Sequence, residues 1–381
     1  MNLALGKYWN ALSRNKFLNF MIGRTVVPDL PDYKPDITVL IAAYNEEESL
    51  ANTIRSIQAQ SYLPKKIIVI DDCSTDRTGE IAKSMGVITL RMDKNVGSKA
   101  RAQNYALSGT DLVDTELFLT LDADTILDQG ALEKLVPPLA DPKMFSTCGF
   151  VIPQIVNNFW NTARFGQYVY GIGLAKEAQD NIGVPLVSSG CFSLFKTALV
   201  RQLGGFPAEA IIEDIPLTWK AYIAGYSVKL VPKAVCYPID PATREVYIKQ
   251  CCRWQSGIFQ SMALYKWQLW KKKRLALLLY WYVLSGLLMP LAYFPVAAYI
   301  AYSLATGASI PTALLFWVGF DLSLTFLYIM YGGVKYYGYR KSFKAWLFYW
   351  AIAPVDGYIF LKTIWNEWIL GKRLTVWHKG H

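Results

Sequence analysis

Histidine is nearly absent from this 381-residue chain: the two present, His378 and His381, stand at its end. A Ser-His-Asp or Cys-His nucleophile system elsewhere is therefore excluded, and acid–base work falls to carboxylates, lysine or tyrosine. Cysteine is sparse. The six thiols (Cys73, Cys148, Cys191, Cys236, Cys251, Cys252) contain no C-x-x-C pair, so a zinc site is not expected, and reduced thiols are. No G-x-G-x-x-G follows the first apolar run and no G-x-x-x-x-G-K-[ST] occurs. The dinucleotide fingerprint and the phosphate loop are both missing. Disorder is excluded by a composition that is 53% hydrophobic and only 18% charged.

Charge is also missing from one long stretch. Between Leu275 and Val334 the only charged residue is Asp321. Through Tyr265 acidic and basic side chains balance, so the net charge of +10 comes from what brackets that stretch: Lys266 and Lys271 to Arg274 before it, and the basic residues after it. A surplus placed this way reads as membrane topology, and no nucleic-acid partner is expected. Segments of about 275–304 and 310–334 are long enough to cross a hydrocarbon core of roughly 30 Å. Their connector is short and uncharged, and both outer flanks are basic. The expectation is an integral, multi-pass protein of the plasma or inner membrane, with the domain that precedes these segments on the cytoplasmic side. A third apolar segment, about 343–370, is interrupted by Pro354 and Asp356 and is expected to be re-entrant or interfacial, followed by a basic tail. Residues 1–35 form an amphipathic segment, lying on the membrane or packed on the soluble domain. Lys7, Arg14, Lys16 and Arg24 argue against a secretory signal there.

Residues 36–265 read as an α/β domain. Ile37–Ala43, Ile67–Ile70, Val87–Leu90 and Leu117–Leu121 are short apolar runs of the kind buried on both faces of a parallel sheet. Helical patterns lie between them, at Ser49–Ala59, Thr75–Ser84 and Ala100–Leu107. In such sheets ligands bind beyond the carboxyl ends of the strands. Acidic or polar residues follow three of the strands there: Asn45 and Glu46, Asp71 and Asp72, Asp122 and Asp124. The D-x-D pair suits a hard divalent cation, Mg²⁺ or Mn²⁺, that keeps coordination positions for phosphate oxygens; the alternative is a pair of solvated loop carboxylates.

The motifs, taken together, resemble the membrane-integrated family 2 glycosyltransferases, which include cellulose, chitin and hyaluronan synthases. The matching pieces stand in order. They are Ala42-Ala43-Tyr44-Asn45-Glu46, Asp71 to Asp76, Lys99 to Asn104, Asp122-Ala123-Asp124, Ser189-Gly190-Cys191, Glu213-Asp214, and the Q-x-x-R-W run Gln250 to Trp254. Trp377 to Gly380 is similar to the family's ending. The resemblance implies a GT-A domain, a Rossmann-like mixed sheet binding a nucleotide sugar, followed by C-terminal transmembrane helices. It implies an inverting transfer by direct displacement, with Asp214 as general base. Ala43, Tyr44, Glu46, Asp71, Asp72, Lys99, Asp122 and Arg253 would bind the nucleotide sugar, with UDP favoured as the nucleotide. Asp122 and Asp124 would hold the metal, Asp124 more directly. Ser189, Gly190, Glu213, Gln250 and Trp254 would line the acceptor side.

The product expected by resemblance is a β-linked polysaccharide made processively, with secretion left open. Transfer of one or a few sugars to a lipid-linked or other membrane acceptor is the alternative, and a non-catalytic sugar-binding or scaffold membrane protein is a third. Expected partners are the donor, a glycan or lipid-linked acceptor, and membrane lipid; a homo-oligomer or a partner membrane subunit is left open. Residue by residue, plainer readings stand beside these. Glu213 and Asp214 could only cap the helix that begins near Pro216. Trp254 could be core packing or an interface anchor, and Gln250 and Arg253 share a helix face whatever they bind.

Overall fold

The computed structural model describes residues 33–375; the amphipathic N-terminal segment up to residue 32 and the Trp377–Gly380 ending lie outside them. Strands β1 (Ile37–Ala43), β2 (Lys66–Asp71), β3 (Ile88–Arg91) and β4 (Leu117–Asp122) form the parallel half of a single sheet. Helices α1 (Leu50–Gln58), α2 (Thr78–Ser84) and α3 (Lys99–Ser108) connect them. The expected strands and helices are there, with small shifts at their ends. The second helix starts at Thr78 rather than Thr75, because the Asp76 carboxylate accepts the Thr78 N–H at 2.9 Å and the residues before it brace neighbouring loops.

The sheet continues with β5 (Ile126–Leu127), β6 (Met144–Val151), β7 (Phe192–Lys196) and β8 (Ser227–Tyr237), in the order β3-β2-β1-β4-β7-β6-β8-β5. β7 runs antiparallel to both β4 and β6. Between and after these strands come α4 (Ala131–Leu135), α5 (Phe159–Tyr170), a π-helical turn at Gly171–Lys176, α6 (Glu177–Asn181), α7 (Thr197–Gln202) and α8 (Asp214–Ala224). Helix α9 (Arg244–Trp270) leads to α10 (Lys273–Thr306) and α11 (Thr312–Ile364).

Two apolar clusters sandwich the sheet, which explains its continuous apolar strands. Val39 and Ile41 join Leu119, Leu121, Ile54 and Leu132 on one face. Leu40 joins Ile68, Phe118, Ala106, Phe195 and Trp219 on the other. The polar residues left over gather at the strand ends. There, Asn45 and Cys73 take left-handed φ values of 56° and 62°, costly for residues with a Cβ and held by loop-to-loop bonds. The Asn45 N–H donates to Ser74 Oγ (3.0 Å), the Thr75 N–H to Asn45 Oδ1 (2.8 Å), and the Glu46 N–H to Thr78 Oγ1 (2.7 Å).

Helices α10 and α11 are both long and apolar enough to cross a membrane, and their most apolar windows are mostly uncovered. Helix α11 continues past Val334 and breaks only at Gly338, at φ 75° and ψ 175°. Its second half folds back on the first: Trp346 Nε1 and Trp350 Nε1 both donate to Thr325 Oγ1. This returning half covers the apolar-plus-Asp356 segment expected at about 343–370. It lies on the α/β domain, with Ala345 against Phe165 and Val169, and Ile352 and Ile359 against Ala163 and Tyr247.

Candidate active site

A cavity of about 660 Å³ opens at the carboxyl ends of β1, β2 and β4 and runs without interruption to the C-terminal helices. At its sheet end it is lined by Ala43, Tyr44, Glu46, Asp72, Lys99, Asp122 and Asp124. In the middle stand Ser189, Gly190, Glu213 and Asp214. At its helix end are Gln250, Arg253 and Trp254 from α9, with Tyr282 from α10 and Asp356 from α11. Every residue given a catalytic, donor, metal or acceptor role by the resemblance lines this one cavity except Asp71.

The adjacent aspartates after β2 divide their work. The Asp71 side chain is fully buried (0% exposed), paired with Arg91, and accepts the Ser74 N–H at 2.9 Å. A Cβ on Gly79 would come within 2.7 Å of its Oδ2, so the start of α2 packs closely against this carboxylate. Asp71 therefore holds the loop, and the nucleotide-binding expectation passes to its neighbour. Asp72 faces the cavity and accepts the Val96 N–H at 2.8 Å, while burial pushes its pKa up.

Lys99 is the hub of the middle section. It opens α3, whose N-terminal turn is capped by Ser98. Its ammonium pairs with Asp122, lies 3.3 Å from Glu213 Oε1, and donates to the Gly190 carbonyl at 3.0 Å. Burial opposes that charge, but Asp122 and Glu213 outweigh it and hold the Lys99 pKa above the usual range. Gly190 sits where a Cβ would stand 2.6 Å from Glu213 Oε1 and 3.4 Å from both Asp214 Oδ2 and Lys99 Nζ. A larger residue there would displace the Glu213 carboxylate from its place beside Lys99.

Asp214 begins α8 and its carboxylate is fixed by two backbone donors: Gly190 N–H to Oδ2 (2.9 Å) and Ile215 N–H to Oδ1 (2.8 Å). Each oxygen keeps a lone pair for a further proton donor. Burial and the neighbouring Glu213 charge raise its pKa to about 6, against the lowering effect of those N–H groups and Lys99. Glu213 occupies the helix cap position yet makes no side-chain cap bond, so capping alone does not account for the pair. The result is a fixed carboxylate poised to exchange a proton near neutral pH, which is what a general base requires.

The donor set at Asp122 and Asp124 fits a hard divalent ion. Both line the cavity and offer carboxylate oxygens two residues apart. Among the described residues no three His, Cys, Asp or Glu side chains gather into a protein-only cage. Two carboxylates with the rest of the shell left to diphosphate and water is the usual Mg²⁺ or Mn²⁺ arrangement.

Residues 38–203 match Glycosyl transferase family 2. The match covers a little under half of the chain, the part that holds the sheet-end carboxylates. Over 238 residues it is 34% identical to a poly-β-1,6-N-acetyl-D-glucosamine synthase of Staphylococcus aureus (strain COL), covering 60% of this chain and 56% of that protein. Over 248 residues it is 32% identical to the protein of the same name from Staphylococcus epidermidis, covering 63% and 59%. The chain thus spans a little over half the length of these curated relatives. Among solved structures, a mannosyltransferase from Pyrobaculum calidifontis, in complex with GDP-Man and Mn²⁺, superposes with a TM-score of 0.60 at 21% identity, over 96% of this chain and 94% of that one. The α/β part of the chain has the GT-A fold that the family resemblance implied.

Several lining residues have no counterpart in the motifs read from sequence, and the most buried cation among them is on α5. Arg164, on α5, has a side chain only 4% exposed, and its guanidinium lies over the rings of Tyr247 (4.5 Å) and Trp254 (4.7 Å). The available signal was an arginine and a glutamine, Arg164 and Gln167, three apart on one face of an aromatic-rich helix.

Proposed function

We propose that this protein is an inverting glycosyltransferase that transfers N-acetylglucosamine from UDP-N-acetylglucosamine to a growing β-linked glycan at a membrane. The observation that carries this reading is the single cavity that joins the sheet-end carboxylates to Asp214 and on to Gln250, Arg253 and Trp254. The sugar and the polymer are supported by the likeness to the two staphylococcal synthases.

In this reading the sheet end is the donor end. Tyr44, Glu46 and Asp72 hold base and ribose, and Asp122 and Asp124 hold Mg²⁺ or Mn²⁺. The ion, when bound, supplies positive charge to the leaving diphosphate. Lys99 and Arg253 add fixed cations beside it, so no protein acid is needed for departure. Asp214 takes the proton of the acceptor hydroxyl as its oxygen bonds to the anomeric carbon and the bond to the diphosphate breaks. The helix end is then the acceptor end, with Trp254 offering an aromatic face to a sugar ring. Apolar helices α10 and α11 attach the domain to the membrane, and the basic flanks support a cytoplasmic catalytic domain. The domain division at about residue 265 follows the same reading, with α9 as the element shared by both parts.

Purified protein in detergent with Mn²⁺, offered UDP-N-acetylglucosamine, UDP-glucose and GDP-mannose, tests the proposal. UDP release from the first, with products longer than a disaccharide, is expected. No nucleotide released from any donor would overturn it; single-sugar products would instead favour transfer to a lipid-linked acceptor.

A further inference from the structure

The acceptor end is not closed by the glycosyltransferase domain alone. Its wall includes Asp356, the one acid in the second half of α11, and that carboxylate is tied into the α/β domain. Tyr247 Oη donates to Asp356 Oδ1 and Gln167 Nε2 to Asp356 Oδ2, each at 2.6 Å. The same two side chains lead to Arg164. Gln167 Oε1 accepts from Arg164 Nη1 at 2.9 Å, and the Tyr247 ring lies under the guanidinium. Arg164 in turn covers one face of Trp254 and donates from Nη2 to Gln250 Oε1 at 2.8 Å. Its Nε faces Asp240 at 3.6 Å, which balances its charge in a setting where both side chains are almost wholly buried.

The backbone allows this closeness at one point. A Cβ on Gly166 would stand 2.7 Å from the Ala345 carbonyl, so α5 and α11 touch main chain to side-chain-free main chain beside Gln167. A buried carboxylate in an apolar helix is expensive unless its partners repay it. Here two protein donors do so, and both sit one residue away from the acceptor platform in the bonding network.

We infer that Arg164 and Asp356 are positioning residues for the acceptor: the membrane-region helix α11, acting through Asp356, Tyr247, Gln167 and Arg164, sets the pose of Trp254 and Gln250. A sugar stacking on Trp254 uses the face that Arg164 leaves uncovered. The inference rests on the proposed glycan acceptor, and it makes affinity for that acceptor depend on a side chain far from the family domain in sequence.

The test measures UDP release and product length with UDP-N-acetylglucosamine and an added β-1,6-linked N-acetylglucosamine oligosaccharide. Asp356→Leu should raise the oligosaccharide KM at least tenfold and shorten the products while the donor KM stays within about twofold. Asp356→Asn, which keeps one acceptor oxygen, should recover part of the loss. Should Asp356→Leu no longer bind UDP, Tyr247→Phe, which deletes one hydroxyl, decides by the same split. Unchanged oligosaccharide KM and product length in a folded variant would overturn the inference, as would a donor KM that rises in step. Native protein that releases UDP but leaves the oligosaccharide unelongated and unbound would overturn it too. Native protein that releases no UDP would defeat the proposed function itself, a result distinguishable from the others before any variant is made.

Discussion

The donor end of the cavity draws its side chains from the ends of β1 and β4, the loops that follow β1, β2 and β4, and the start of α3, all within residues 43–124, whereas the acceptor end draws them from helices α5, α9, α10 and α11, spread over residues 164–359. At the first, parallel strands do the positioning, and a polar residue after an apolar run is enough to place it. At the second, four helices must be docked before any side chain finds its partner. The donor end should therefore tolerate damage to helix packing, and the acceptor end should not. Asp214 stands where the two meet, held from one side by Gly190 and backed on the other by α8.

The largest effect should come from that junction. Asp214→Asn removes the proton acceptor while an amide oxygen still takes one backbone hydrogen bond. Loss of a positioned base typically costs 10²–10⁴-fold. Transfer is expected to fall about 10³-fold with UDP affinity within about twofold, measured by turnover and by calorimetric titration of UDP. Full turnover in this variant would remove Asp214 from the chemistry. Lys99→Met comes next. It leaves Asp122 without its ion-pair partner and Glu213, itself almost wholly buried, facing no cation. Roughly a hundredfold loss of kcat/KM with a weaker donor KM is expected, together with lower thermal stability, because an unpaired buried carboxylate is costly. A loss confined to the acceptor KM would place Lys99 at the wrong end.

The same contrast separates what was legible in the sequence from what was not. Strands β1, β2 and β4 are bounded by polar residues, so Glu46, Asp72, Asp122 and Asp124 could be placed at one edge without coordinates. The antiparallel half of the sheet was visible only through family resemblance: β6, β7 and β8 are also joined through helices, so the alternation of elements does not reveal that β7 runs the other way. Asp71 and Asp72 are chemically identical neighbours in sequence, and only the register of β2 turns one inward to Arg91 and the other toward the cavity. Asp356 was legible as an oddity, an acid in an apolar helix, but its partners Gln167 and Tyr247 lie 189 and 109 residues away. Arg164 carried the weakest signal, yet it contacts Gln167, Tyr247, Gln250 and Trp254 together. Long-range packing, which periodicity does not encode, decides both.

A pH profile sharpens the role of the junction with a smaller effect. Asp214, pushed up to about 6 by burial and by Glu213, must be ionised to accept a proton. The active fraction is full above that value and falls as pH drops through it, so log kcat should decline toward a slope of one below pH 6. About a tenfold loss between pH 7 and pH 5 is expected, measured as initial rate at saturating donor. In Glu213→Gln the limb should move to lower pH, because the like charge that raises the Asp214 pKa is gone. A limb that stays put in that variant would assign it to another group.

The smallest effect divides the Asp71–Asp72 pair. Asp72 reaches the cavity, so Asp72→Asn should weaken UDP binding about tenfold, the scale of one hydrogen bond to a charged group. Arg91 does not line the cavity; it pairs with Asp71 and donates to the Ser74 carbonyl at 2.9 Å. Its side chain is half exposed, so solvent screens the pair, and Arg91→Ala should cost about 1–2 kcal/mol of stability rather than the 3–5 of a fully buried pair. The donor KM should rise less than threefold, because the loops after β1 and β2 remain cross-braced through Asn45, Ser74 and Thr78. Thermal melting and donor KM, read on both variants, settle the division. If Arg91→Ala weakens UDP as much as Asp72→Asn does, the bracing is too weak to hold the donor loops alone, and the independence of the donor end from its surroundings fails with it.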